Sequence, residues 1–190
     1  MESLYFEDKH FDKKNFEERP LKKGEYEKCE FSNCSFYKSD ISEILFVDCK
    51  FTACNFSLVK VSGTTFNNVI FTDCKLMGIH FESCNDFGLS FKFENCILDH
   101  SSFFRKKIRN TKFKNSQFIE ADFTETDLTG SVFSDCDLSR TIFNKSILEK
   151  ADLRTSFNFS IDPEANRIKK AKFSYQGAAG LLHKYNIEIE

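Results

Sequence analysis

The chain has 190 residues and a formal charge of −2; 24 residues are Phe, Pro occurs twice and Gly seven times. Charged residues at 29% exclude a disordered or low-complexity chain. No apolar run approaches the ~18 residues of a membrane span, and the near-neutral balance gives no global attraction for nucleic acid or lipid. Eight cysteines follow a start, Met1 to Asp8, with no basic region before an apolar core. That combination predicts a cytoplasmic protein with reduced thiols.

From Phe6 onward every fifth residue is apolar: Phe6, Phe11, Phe16, Leu21, Tyr26, Phe31 and so on to Phe81, 16 positions in all. The lattice slips by two residues and resumes at Phe93, running through Phe113, Phe123 and Phe133 to Leu153, 13 more. At 41% apolar composition, 29 such hits arise by chance about once in 10^11. A step of five is neither the helical nor the strand period. Two residues before the lattice positions sit all eight cysteines, and in the second block mostly Ser, Thr and Ala. A large and a small inward residue per five describe a narrow coil, with the other three positions in solvent. Columns also recur at a period of 20. Phe11, Phe31, Phe51, Phe71 and Phe91 form one, and Leu21, Ile41 and Val61 another. Seven to eight coils at about 4.8 Å each give a rod of roughly 35 Å.

Between Phe81 and Phe93 two readings fit. One is two repeats with two extra residues, a bulge. The other is one repeat plus a seven-residue loop over 86–92, which would continue the Leu21, Ile41, Val61 column into Ile108, Leu128 and Leu148 and leave Phe87 and Leu89 projecting. Lys106 falls on an inward slot; an unpaired buried ammonium is too costly, so a local bulge is expected there. After Leu153 the lattice breaks across 157–167, where Phe157, Phe159 and Ile161 are expected to cover the last coil. Ala171-Lys172-Phe173 forms a final repeat. Ser174 then caps a helix from about Tyr175 to Tyr185, and Ile187 to Glu190 alternates like a short strand. The repeat domain is therefore 1–173 and the tail 174–190.

Ala121-Asp122-Phe123, Thr126-Asp127-Leu128, Cys136-Asp137-Leu138 and Ala151-Asp152-Leu153 resemble the motif of the pentapeptide repeat family. The resemblance covers about residues 6 to 173. It implies an all-β fold, a right-handed quadrilateral parallel β-helix with four pentapeptides per coil, here closed by a short C-terminal helical cap.

The candidate chemistry is sparse. The C-x4-C spacings follow from the repeat rather than from a zinc site, so core packing accounts for the cysteines. His10, His80, His100 and His183 stand singly, and no nucleotide or metalloprotease motif occurs. A rod packed solid with Phe has no internal pocket, so neither enzyme activity, nor a cofactor, nor a metal is expected. Six bases and no acids run from Arg105 to Lys114. Six acids and no bases run from Ile119 to Ser139: Glu120, Asp122, Glu125, Asp127, Asp135 and Asp137. The period of 20 aligns Arg105, Glu125 and Lys145, and Lys107 with Asp127, which predicts ion-pair ladders between coils.

The ending, with Ile161-Asp162-Pro163 and Gly180-Leu181-Leu182, is similar to that of the family's quinolone-resistance branch. That resemblance implies a cytosolic protein that binds DNA gyrase or topoisomerase IV by imitating duplex DNA. The acidic belt and the Phe87/Leu89 segment would make the contacts. It further implies a homodimer through the tail, with Ala178, Ala179, Leu181, Leu182 and Tyr185 as the contact residues; the alternative is a tail that only caps. Direct nucleic-acid binding and membrane binding are not expected. A scaffold for an unrelated protein partner is the competing function.

Overall fold

The computed structural model describes residues 4–188. The expected strand at 187–190 is absent from Ile187–Glu188, and Ile189–Glu190 lie outside the described residues, as do Met1 to Ser3 of the leader reading.

The chain is an all-β parallel solenoid with four faces. On the first face, Tyr5–Glu7, Glu25–Glu27, Leu45–Val47 and Thr65–Asn67 form a four-stranded sheet. The second face is a seven-stranded sheet built from His10–Asp12, Glu30–Ser32, Lys50–Thr52, Val69–Thr72, Phe91–Glu94, Lys112–Lys114 and Val132–Ser134. The other two faces consist of isolated parallel bridges, such as Asn55↔Lys75 and Ser102↔Asp122. Register is 20 residues: Phe31 pairs with Phe51 and Phe46 with Phe66.

Three-residue strands cannot hold a sheet alone, so packing inside the coil decides the fold. Each lattice ring stacks on the ring one coil away. Phe51 lies 4.7 Å from Phe31 and 5.2 Å from Phe71, near parallel to both. Rings on neighbouring faces meet edge-on, as Phe51 and Phe56 do at 88°. Both geometries suit the aromatic quadrupole, at about 0.5–1.5 kcal/mol per pair beyond area burial.

The small slot has its own task. At many of these slots the side chain donates a hydrogen bond to the lattice carbonyl 23 residues earlier, while Ser39, Ser101 and Thr111 bond the carbonyl three residues before them instead. In the first block the donor is mostly a thiol: Cys49 Sγ to the Tyr26 carbonyl at 3.1 Å, Cys54 to Phe31 at 3.4 Å, with Thr64 to Ile41 at 2.8 Å the hydroxyl exception. In the second block it is a hydroxyl: Thr126 to Phe103 at 2.7 Å, Ser146 to Phe123 at 2.8 Å. Asn166 continues the ladder, donating to Phe143 at 3.0 Å.

Between faces the backbone turns through a left-handed residue two after the lattice position. Asn33, Asp48, Asp73, Asn95 and Asn115 hold φ between 47° and 56° there, and Gly130 holds 69°. Non-glycine residues pay roughly 1 kcal/mol for that conformation. Lys28, Glu120 and Arg140 adopt it too, so the cross-coil hydrogen bonds outweigh the cost.

The interruption is a coil of 22 residues, as in the bulge reading. Phe71 pairs with Phe93 and stacks on it at 5.2 Å, and Phe81 stacks on Phe103 at 4.6 Å. Cys96 reaches back 25 residues to the Phe71 carbonyl, the usual 23 plus two. Two column expectations fail as a result. Phe91 pairs with Val69 and fills a small-residue slot, leaving the Phe71 column to Phe93. The Leu21, Ile41, Val61 column runs on into Phe81 and Phe103, since His80 bridges to Ser102. Ile108, Leu128 and Leu148 instead continue the face of Phe46 and Phe66.

No bulge forms at Lys106. Ser102 and Lys107 keep register with Asp122 and Asp127. The Lys106 side chain points inward, only 4% of the residue is exposed, and its Nζ donates to the Cys84 carbonyl at 2.6 Å and Asp86 Oδ1 at 2.7 Å. The wide coil leaves the room, and its carbonyl and carboxylate satisfy the charge.

Register also survives the 157–167 break: Asp137 bridges Phe157, Ile147 bridges Arg167 and Asp152 bridges Lys172. Phe159 and Ile161 are buried as expected, whereas Phe157 is 48% exposed. The tail is not an α-helix. It forms two 3-10 turns, Gly177–Leu181 and His183–Tyr185. Ser174 Oγ accepts from the Gly177 N–H at 2.9 Å, but the expected helix over 175–185 is absent and the first turn starts two residues later behind Gln176, without a side-chain cap. Gly180 lies so close to Phe159 that a Cβ would meet the ring at 2.8 Å. No described helix is long and apolar enough to cross a membrane.

Candidate protein-binding surface

With the interior filled, chemistry is confined to the outside. The cysteines are buried, and burial pushes the Cys49, Cys84 and Cys136 thiols up to about 12, so they stay protonated. Three histidines are paired on the surface: His10 with Glu30 at 3.3 Å, His80 with Glu82 at 2.8 Å and His100 with Glu120 at 3.3 Å. His183 is exposed in the tail. Among the described residues no cluster of three metal-ligating side chains occurs. An open groove of about 520 Å³ runs along the fourth face beside Leu58, Lys60, Gly78 and His80.

The wide coil presents the most exposed Phe. Two residues more than four faces need must go outward, and the turn at Asp86-Phe87-Gly88-Leu89 takes them. Phe87 is 93% exposed, and Gly88 sits at φ 72°. Leu89 differs from expectation: it is half-buried against the core and anchors the turn. Asn85 Nδ2 donates to the Gly63 carbonyl at 2.8 Å and Thr65 Oγ1 at 2.9 Å. Ser90 Oγ accepts from the Asn68 N–H at 2.8 Å, and Lys106 grips Cys84 and Asp86 from within. Phe87 is thus held out on a fixed turn, which lowers the entropy cost of using it as an anchor. In the 22-residue register Lys106 stands over Cys84, and Asp86 at the start of the turn reaches back to its ammonium.

The acidic belt is largely neutralised within the molecule. Glu120 bonds Arg140 Nε at 2.7 Å, and Glu125 bonds Arg105 Nε at 2.7 Å, as the period of 20 predicts. Arg105 holds the Glu125 carboxyl below its ordinary range. Asp127 is buried and pairs with Arg109 at 2.6 Å rather than with Lys107. Burial raises its pKa, but hydrogen bonds from Arg109 and Thr129 outweigh that and leave it lowered. Asp122 accepts from the Thr124 N–H, and Asp137 accepts from Ser139 and Asn158. Burial raises the Asp137 pKa as well, and those hydrogen bonds again leave it lowered. Of the six belt acids only Asp135 is exposed without an ion pair.

The tail lies against the end of the rod. Ile161 N–H donates to the Gly180 carbonyl at 3.0 Å, and Lys184 bridges Asp162 at 2.8 Å and Glu164 at 2.6 Å. Tyr185 OH donates to Glu164 at 3.1 Å. Ala178, Ala179 and Leu181 are half-buried by this docking, while Leu182 and Tyr185 remain exposed. The expected contact residues are thereby divided between cap and free surface.

Residues 20–103 match the family description "Pentapeptide repeat region", and residues 116–156 match "Pentapeptide repeats (8 copies)". No curated protein matches the sequence. Among solved structures the chain is similar to QnrB1, a plasmid-mediated fluoroquinolone resistance protein. One trypsin-treated form is 18% identical with a TM-score of 0.71, covering 98% of this chain and 92% of that one. The full-length form is 15% identical with a TM-score of 0.63, covering 97% and 100%. At such identities the likeness concerns the fold.

Proposed function

The chain belongs to the pentapeptide repeat family, and on that premise we propose that it is a non-enzymatic, Qnr-like binding protein that docks on DNA gyrase or topoisomerase IV. The observation that carries this is the fixed projection of Phe87 from a solid rod whose whole length matches the QnrB1 fold. A filled core leaves binding by surface shape as the available chemistry. In this reading the rod's width fits a groove built for duplex DNA, Phe87 anchors it, and Asp122 and Asp135 add acidic contacts.

A second reading, a scaffold for a different protein, is favoured by the belt itself. Arginines neutralise Glu120, Glu125 and Asp127, which weakens any imitation of a polyanion.

The deciding experiment is a gyrase supercoiling assay with and without ciprofloxacin. The topoisomerase reading expects micromolar wild-type protein to change activity or drug sensitivity, and Phe87→Ala to reduce that effect about tenfold. No change with wild-type protein would leave the scaffold reading in place.

A further inference from the structure

The first face carries an opposed charge pattern along its length. Its rungs run from Tyr5–Asp8 at one end, through the wide turn at Phe87, to Arg167–Lys170 at the other. The register Tyr5↔Glu25, Leu45↔Thr65 and then Lys107↔Asp127↔Ile147↔Arg167 fixes which residues share it. Before the wide turn it bears Glu7, Asp8, Glu25, Glu27 and Asp48 against Lys28 alone. After it come Lys107, Arg109, Lys150, Arg167, Lys169 and Lys170 against Asp127 and Glu149. Four rungs lie on each side of Phe87. The two halves therefore carry −4 (five acids, one base) and +4 (six bases, two acids).

We propose that this face pairs with the same face of a second copy, antiparallel, about a two-fold axis at Phe87. The axis places Glu7 and Asp8 of one copy opposite Lys169 and Lys170 of the other, twice over. It places Thr65 and Asn67 opposite Lys107 and Arg109. Leu45 and Val47, half-buried on the surface, meet Asp127 and Thr129, and the rung of Glu25, Glu27 and Lys28 meets the electrically neutral rung of Ile147, Glu149 and Lys150, so the attraction is concentrated at the two ends. The two Phe87 rings meet at the axis. A parallel arrangement would set the Glu7 and Asp8 rung on its own copy and the Arg167, Lys169 and Lys170 rung on its own copy, so electrostatics selects the antiparallel one.

The face is about 38 Å long, from eight coil steps of about 4.8 Å, and about 10 Å wide. It buries on the order of 400–500 Å² per copy, less than the ~800 Å² per partner of a standard interface. The dimer is accordingly weak, with a dissociation constant in the micromolar range, and salt-sensitive. Phe87 lies inside the paired face, so pairing and binding of another protein through Phe87 compete.

Sedimentation velocity at 50 mM and 300 mM NaCl tests this. Wild type should dimerise at tens of micromolar in low salt and weaken about tenfold in high salt. The double variants Glu7→Lys with Asp8→Lys, and Lys169→Glu with Lys170→Glu, should each be monomeric. Lys28 and Glu120 already occupy the left-handed turn position, so the exchanged residues fit the backbone. Mixed one to one, the variants should form a heterodimer, which also shows that both are folded. A wild type monomeric at 200 µM, variants that still self-associate, or a mixture that stays monomeric would overturn the proposal. So would a dimer abolished by Leu182→Asp but untouched by the charge reversals, since that would place the contact in the tail. None of these outcomes depends on the supercoiling assay.

Discussion

The two blocks of the rod solve one packing problem with different atoms. Before the wide turn at Asp86–Leu89 the inward column holds rings on three faces, and the small slots hold six of the eight cysteines. After it, Leu and Ile alternate with Phe, and the slots hold mostly Ser, Thr and Ala. In both, a side-chain donor reaches the carbonyl of the coil before. The thiol does this at longer range with a weaker bond, and its bulk fills space beside the rings. The hydroxyl does it at shorter range with less volume. The slot thus specifies a small donor, and the neighbouring ring size decides which one.

The sharpest way to separate the blocks is to empty one lattice site in each. Phe51→Ala, between two stacked rings, should cost about 3–5 kcal/mol in urea unfolding, and more than Leu148→Ala. Equal costs would mean that the aromatic columns add nothing beyond volume.

At the junction, Lys106→Met should cost about 1–3 kcal/mol by leaving the Cys84 carbonyl unpaired. Amide exchange at Asp86–Leu89 should quicken with it. Unchanged exchange would show that Asn85 and Ser90 hold the turn without Lys106.

The ladders come next. Ser146→Ala should cost about 1–2 kcal/mol, whereas Cys54→Ser, exchanging one donor for the other, should cost about 1 kcal/mol or less. Alkali should then tell them apart. An unfolded thiol titrates near about 8.5, and the folded Cys49 and Cys84 thiols near about 12. Their contribution is complete below about pH 8.5 and is lost as pH rises toward 12. Melting curves from pH 8 to 11 should show Tm falling, and less so once Cys49 and Cys84 are replaced by Ser. The smallest effect belongs to surface pairs: Arg105→Ala should cost about 0.2–1 kcal/mol, less in high salt.

The lattice of Phe6 to Leu153 was legible because a step of five fits no other element. The inward slots, the thiol packing and the 20-residue ion pair of Arg105 with Glu125 followed from it. The 12-residue step from Phe81 to Phe93 was ambiguous, because columns change from aliphatic to aromatic along the rod and similarity of type cannot fix register. Lys106 was misplaced for a related reason. The cost of a buried ammonium was counted without the carbonyl that the wide coil leaves facing inward. The tail's 3-10 geometry was hidden because it depends on contact between Gly180 and Phe159, distant in sequence pattern. The period of 20 predicts Lys107 as the partner of Asp127, and only side-chain geometry shows Arg109 reaching it instead.

Everything above rests on the blocks forming one continuous rod across the 22-residue coil, and amide hydrogen exchange there is the most direct test. Asp73 and Leu76 donate their N–H groups to the Glu94 and Ile97 carbonyls, at 3.0 and 2.7 Å. Continuous pairing predicts that both amides are protected as strongly as that of Asn33, which bonds Thr52 within the first block at 2.9 Å. Exchange of Asp73 and Leu76 at the rate of an open sheet edge would contradict it and divide the rod in two.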